Sequence, residues 1–123
     1  MSLPAAHLEL GRAAEDEACR TLVRLGYRVL RRNFRGRGGE LDVVAMDGPV
    51  LALIEVRYRS RDDFGGGAAS ITYRKRTRLI RAARELLQRE PALARLAARF
   101  DVVEVDGPPG ELHCQLIRDA FSL

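Results

Sequence analysis

Apolar residues recur at helical spacing early in the chain, with Ala14, Ala18, Leu22 and Leu25 along one stripe. The spacing predicts a helix over residues 6–25 that stops at Gly26. Glu15 borders that stripe, whereas Asp16, Arg20 and Arg24 point elsewhere. Residues 27–34, "YRVLRRNF", read as a strand, and 35–39, "RGRGG", as a flexible basic loop. A hairpin follows, with "MDGP" as its turn, then a Gly-rich segment over 60–70 that reads as a mobile loop. Its glycines do not make a Walker-type phosphate cradle, because no GKS or GKT follows.

Thr72 or Ser70 is placed to cap a second helix running to Arg89, with Leu79, Ile80, Ala83, Leu86 and Leu87 as its apolar stripe. Its first half carries Arg74, Lys75, Arg76, Arg78, Arg81 and Arg84. Pro91 is expected to open a short third helix reaching Arg99. Strands over 100–105 and 111–117 flank the turn "DGPPG". The order α-β-β-β-α-(α)-β-β implies an α/β fold, a mixed sheet flanked by helices, in a single domain over 1–123.

The hairpin breaks its own pattern. Alternation puts Glu40, Asp42, Val44 and Met46 on one face of the first strand, and Leu51, Leu53, Glu55 and Arg57 on one face of the second. A two-residue loop at Gly48-Pro49 sets Asp42 opposite Glu55, and one at Asp47-Gly48 sets it opposite Leu53, with Glu55 opposite Glu40. In either register Asp42 and Glu55 are neighbours, and only an odd-length loop or a bulge would separate them. Like charges across a strand pair cost up to about 1 kcal/mol, and burial raises that cost. Arg57, a shared proton or a divalent cation with oxygen ligands would offset it, the Val56 carbonyl being a further ligand. The plain alternative is an Arg–Glu surface pair at a frayed strand end.

Composition narrows the class. The chain has 123 residues, 46% hydrophobic and 31% charged, enough for one real core. No apolar run is long enough to span a bilayer, and the N-terminal stretch is too polar for a secretory signal. Cys19 and Cys114, with His7 and His113, lack metal-ligand spacing and read as reduced thiols and incidental histidines of a cytoplasmic protein. The net charge is +4, and of 21 basic residues only Lys75 is not arginine. That excess suggests a polyanionic partner, nucleic acid ahead of a membrane surface.

"GRAAEDEACRTLVRLGYRVLRRNFRGRGGELDVV", "LALIEVRYRS" and "GGGAASITYRKRTRLIRAAREL" together resemble the YraN family of small bacterial proteins. The likeness runs from Gly11 through the final "IRDAF". That family is placed in the restriction-endonuclease-like superfamily, defined by the PD-(D/E)xK motif, and is similar to archaeal Holliday-junction resolvases. The resemblance implies an αβββαβ nuclease core. Asp42 then stands for the motif's first acid, Glu55 for its second, and Arg57 for its lysine. Asp42 and Glu55 would bind Mg²⁺ or Mn²⁺, with Glu15 completing the set or acting through water. Arg57 departs from the motif: a guanidinium steadies a phosphate but gives up no proton at working pH, so it is no general base. Lys75, in register with Leu79, Ala83 and Leu86, either brings an ammonium to the site or is one more basic residue on a phosphate-facing helix.

The expected function is a metal-dependent endonuclease acting on structured or branched nucleic acid, DNA ahead of RNA. Arg31, Arg32, Arg35, Arg37, Arg59, Arg61, Arg74 and Arg78 would line the phosphate path, positioning the backbone without reading sequence. A non-catalytic nucleic-acid-binding module on the same fold is the second reading, and a protein adaptor the third. Related resolvases work as dimers, and an exposed hairpin edge is a surface for a homodimer here.

Overall fold

The computed structural model describes residues 5–59 and 72–121, with side chains from Gly11 onward. The elements are α1 (Ala5–Arg24), β1 (Arg28–Arg35), β2 (Glu40–Asp47), β3 (Val50–Tyr58), α2 (Tyr73–Arg89), α3 (Pro91–Ala94), β4 (Ala98–Asp106) and β5 (His113–Phe121). The five strands form one sheet in chain order. β3 and β4 pair parallel, joined by the crossover through α2 and α3, and the other pairs are antiparallel. This mixed sheet flanked by helices is consistent with a restriction-endonuclease-like core.

A helix covers each face. Ala14, Ala18 and Leu22 of α1 pack on Val43, Ala45, Ala52, Ile54, Val103 and Val105. Leu79, Ala82, Ala83 and Leu86 of α2 pack on Phe34, Leu41, Val44, Leu51, Leu53 and Phe100. β2 and β3 are therefore buried on both sides, which is why they read as nearly continuous apolar runs. Helix ends follow local chemistry. Gly26, at φ +94°, lets the Tyr27 N–H turn back to the Leu22 carbonyl at 2.9 Å. The Thr72 hydroxyl caps α2 by accepting from the Lys75 N–H at 3.2 Å.

Four expectations change. The third helix ends at Ala94 rather than Arg99, because Ala98 and Arg99 are drawn into β4 by pairing with Leu51 and Ala52 of β3. The last strand runs past Ile117 to Phe121, whose ring stacks on Phe100 at 4.5 Å. The hairpin offers no sheet edge: β1 covers β2, β4 covers β3, and the outer strands are β1 and β5. The segment from Gly36 to Gly39 is docked rather than flexible. Gly36 N–H donates to the Gly39 carbonyl at 2.8 Å, and Arg37 N–H donates to the Glu85 carboxylate of α2 at 2.8 Å.

Glycine is needed in that loop for close approach. A Cβ on Gly39 would lie 2.1 Å from the Arg78 carbonyl oxygen, a backbone atom that cannot swing aside. Gly39→Ala is expected to cost about 2–3 kcal/mol. A thermal melt should show the midpoint falling by about 10 °C; a change within about 1 °C would mean the loop and helix separate freely. The predicted Gly-rich loop over 60–70, and Arg61 with it, lie outside the described residues.

Candidate functional site

The turn closes at Gly48-Pro49, with Asp47 paired to Val50 and Val43 to Ile54. This is the register that directs Asp42 toward Glu55. Regular alternation fails at Asp42. Val43 and Ala45 lie under α1, yet Leu41 lies under α2 beside Val44. On β1, Arg32 pairs with Val43 and Phe34 with Leu41, while Asn33 between them has φ +54°. Both strands turn over together at this point. Asp42 is thereby carried to the seam with β3, where its carboxylate accepts the Val56 N–H at 2.7 Å.

Asp42 also lies beside the Glu55 carboxyl, close enough for that charge to act on it. Burial, then the Glu55 charge, push the Asp42 pKa up to about 8; the Val56 N–H pulls the other way, and Glu15 adds to the rise. Glu55 is only 8% exposed, and its carboxylate meets the Lys75 ammonium at 2.7 Å. The single lysine of the chain thus reaches the site from α2. The acid pair is met by a cation, the Lys75 ammonium.

Two clefts meet at this seam. On the α1 side, Glu15, Asp16, Arg12, Arg32, Arg35 and Asp42 line a cleft of about 740 Å³. On the α2 side, Glu40, Glu55, Thr72, Arg74, Lys75 and Arg78 line one of about 380 Å³. Glu15 faces Asp42 but is held by Arg32 at 3.3 Å. Among the described residues, no three His, Cys, Asp or Glu side chains converge closely enough to hold a metal ion as they stand.

The expected arginines separate into distinct roles. Arg74 and Arg78 line the Glu55 cleft. Arg37 lies further along α2, in a cleft with Arg81, Arg84 and Arg89. Arg31 sits over the Phe34 ring at 4.9 Å, and Arg32 bonds Asp16 at 2.7 Å as well as Glu15. Arg35 lies 3.5 Å from Glu40. Arg59 is ion-paired with Glu104, which is 4% exposed and stands opposite Arg57 in the β3–β4 register.

The sequence reading missed Glu104 and a second buried network. Asp101, 1% exposed, accepts from the Tyr27 hydroxyl, from Arg99 and from the Asp119 N–H, each at 2.9 Å. Arg99 continues to Asp47 at the hairpin turn. The signal was an acid inside an apolar strand, "FDVVEV", the same irregularity that singled out Asp42 and Glu55.

The fold and the paired carboxyls define an α/β domain with an acid pair between a basic cleft on the α2 side and a cleft of mixed charge on the α1 side. The chain matches the family described as "Uncharacterised protein family UPF0102" over residues 14–105, and it belongs to that family. It is 51% identical over 121 residues to a UPF0102 protein of Xanthomonas campestris pv. campestris (strain B100), covering 98% of each chain. It is 49% identical to UPF0102 proteins of Xylella fastidiosa (strain 9a5c), over 94% of this chain and 93% of that one, and of Dechloromonas aromatica (strain RCB), over 91% and 88%. No helix among the described residues is long and apolar enough to cross a membrane.

Proposed function

We propose that this protein is a metal-dependent endonuclease of the restriction-endonuclease-like class, similar to archaeal Holliday-junction resolvases, acting on structured or branched DNA in the cytoplasm. The observation that carries the reading is the Asp42–Glu55 pair, two carboxyls held in contact in a half-buried seam that opens onto arginine-lined clefts. An acid pair kept at this electrostatic cost is more often functional than structural. The donor set is all oxygen, which suits Mg²⁺ or Mn²⁺. Asp42 and Glu55 would hold the ion, with Glu15 joining directly or through water. When bound, the ion lowers the pKa of an attacking water and stabilises charge on the phosphate.

The chain's own groups do the rest. The Val56 N–H fixes one oxygen of Asp42. Lys75 neutralises Glu55 and lies where a phosphate entering between Arg74 and Arg78 would meet its ammonium. Arg57, on the face of β3 that carries Glu55, steadies the phosphate. The non-catalytic reading also has a specific support, because Lys75 already pairs with Glu55, and the Asp42 pKa is raised to about 8, which balances the site without a metal.

The test is incubation with Mn²⁺ or Mg²⁺ and single-stranded, duplex, forked and four-way DNA, beside Asp42→Ala and Lys75→Arg. Cleavage is expected to fall by about a hundredfold or more in Asp42→Ala. Lys75→Arg is expected to lose cleavage while keeping DNA affinity, because the broad planar guanidinium keeps the charge but not the compact ammonium's place against Glu55. Binding without cleavage, unchanged by Asp42→Ala and with no Mn²⁺ isotherm, would establish the scaffold instead.

A further inference from the structure

The second basic cleft lies away from the carboxyl pair and is not used by the chemistry proposed above. Arg37, Gly38, Arg81, Arg84, Gln88 and Arg89 line a space of about 590 Å³, with Glu85 in its wall. Glu85 is consumed in building that wall. Its carboxylate accepts the Arg37 N–H at 2.8 Å and Arg89 at 3.3 Å, tying the β1–β2 loop to α2. The arginines therefore dominate what an incoming anion meets.

The two α2 clefts are consecutive. Arg74, Arg78, Arg81 and Gln88 recur at helical spacing on one flank of α2. Arg78 lines the Glu55 cleft, and Arg81, about one turn on, lines the next. The glycine loop walls both, with Gly39 against the Arg78 backbone and Gly38 against the Arg81 side chain. From Arg74 to Arg89 the helix rises about 22 Å. At about 3.4 Å of duplex axis per nucleotide of one strand, a helix laid along that axis spans about six nucleotides of B-form DNA.

We infer that α2 and the 36–39 loop form a one-sided track for a single phosphodiester strand, running from the Glu55 cleft toward the C-terminal end of α2. The track rests on the nucleic-acid reading above and adds to it a direction. Contacts extend about six nucleotides to one side of the carboxyl pair along α2. The arginines of β1 do not share the task equally, since Arg32 is ion-paired with both Glu15 and Asp16.

The experiment is fluorescence anisotropy with a labelled DNA duplex in EDTA, across a salt series, so that neither metal nor cleavage enters. Wild type is compared with Arg81→Gln/Arg84→Gln and with Arg20→Gln/Arg24→Gln. The control pair removes the same charge from α1, on the opposite face of the sheet, where both arginines contact Glu17. The track pair is expected to bind about tenfold more weakly and to lower the log–log salt slope by about 1.8, or 0.9 for each lost phosphate contact. The control pair should match wild type, and all three should melt within about 2 °C of one another, since the substituted side chains are exposed. If both pairs lose affinity equally, the track is wrong and the nucleic-acid reading stands. If wild type binds no DNA, that reading itself fails.

Discussion

At pH 8 the Asp42→Asn protein is expected to resist denaturant better than wild type, and at pH 4 the difference should nearly vanish. Asp42 is raised from 3.8 to about 8 in the fold. A carboxyl raised in this way is protonated when folded and ionised when unfolded throughout that window. Wild type therefore loses stability as pH climbs from the lower value and stops losing it above the upper one. The full linkage exceeds what a half-buried acid beside Glu55 will show. A gain on the order of 3 kcal/mol for the asparagine at pH 8 allows for that. Asparagine keeps the geometry, because its carbonyl oxygen still accepts the Val56 N–H and its amide donates to Glu55. Urea midpoints at pH 4, 6 and 8 decide it, and parallel curves for the two proteins would mean that Asp42 is ionised in the fold. Under the metal-binding reading, millimolar Mn²⁺ should close the gap by stabilising wild type alone.

The second large effect lies on the α1 face of the sheet. Asp101→Ala removes the acceptor shared by Tyr27, Arg99 and the Asp119 N–H. It leaves Arg99 and the Tyr27 hydroxyl partly buried with fewer partners. Breaking a buried charged network from one side costs about 3–5 kcal/mol, a large share of an ordinary domain's stability. A urea titration should show the midpoint falling accordingly. DNA binding in the cold should persist, because this network bonds Tyr27 on the α1 face of the sheet, whereas Glu55 opens to the α2 side. A loss below about 1 kcal/mol would mean water replaces the carboxylate without penalty.

These two acid clusters show how far the chain could be read unaided. Two turns were legible, Gly48-Pro49 and Asp47-Gly48, and either one makes Asp42 and Glu55 neighbours, so their meeting followed from spacing. The turnover at Asn33 and Asp42 was not, since a left-handed residue on one strand reorients its neighbour only after the two have paired. Lys75 was legible as a candidate for the site because it shares the stripe of Leu79, Ala83 and Leu86, with a phosphate-facing role as the alternative. That its ammonium lands on Glu55 depends on how α2 crosses β3. Charge was legible but its employment was not. Arg32 reads as a phosphate contact until α1 brings Glu15 and Asp16 to it. "RGRGG" reads as slack chain because glycine permits motion, yet here it permits contact.

The order of strands carries one more consequence. A sheet with five strands in sequence has two open borders, and an open border invites addition of a foreign strand. β1 closes its border with Arg28, Arg31, Arg32 and Arg35, a register shift between Val29 and Arg31, and the left-handed Asn33. β5 does so with Arg118, the left-handed Asp119 and a register shift in its pairing with β4. Crowded positive charge and broken ladder geometry make both borders poor templates. Arginine on β1 thus guards the protein against aggregation whatever else it touches.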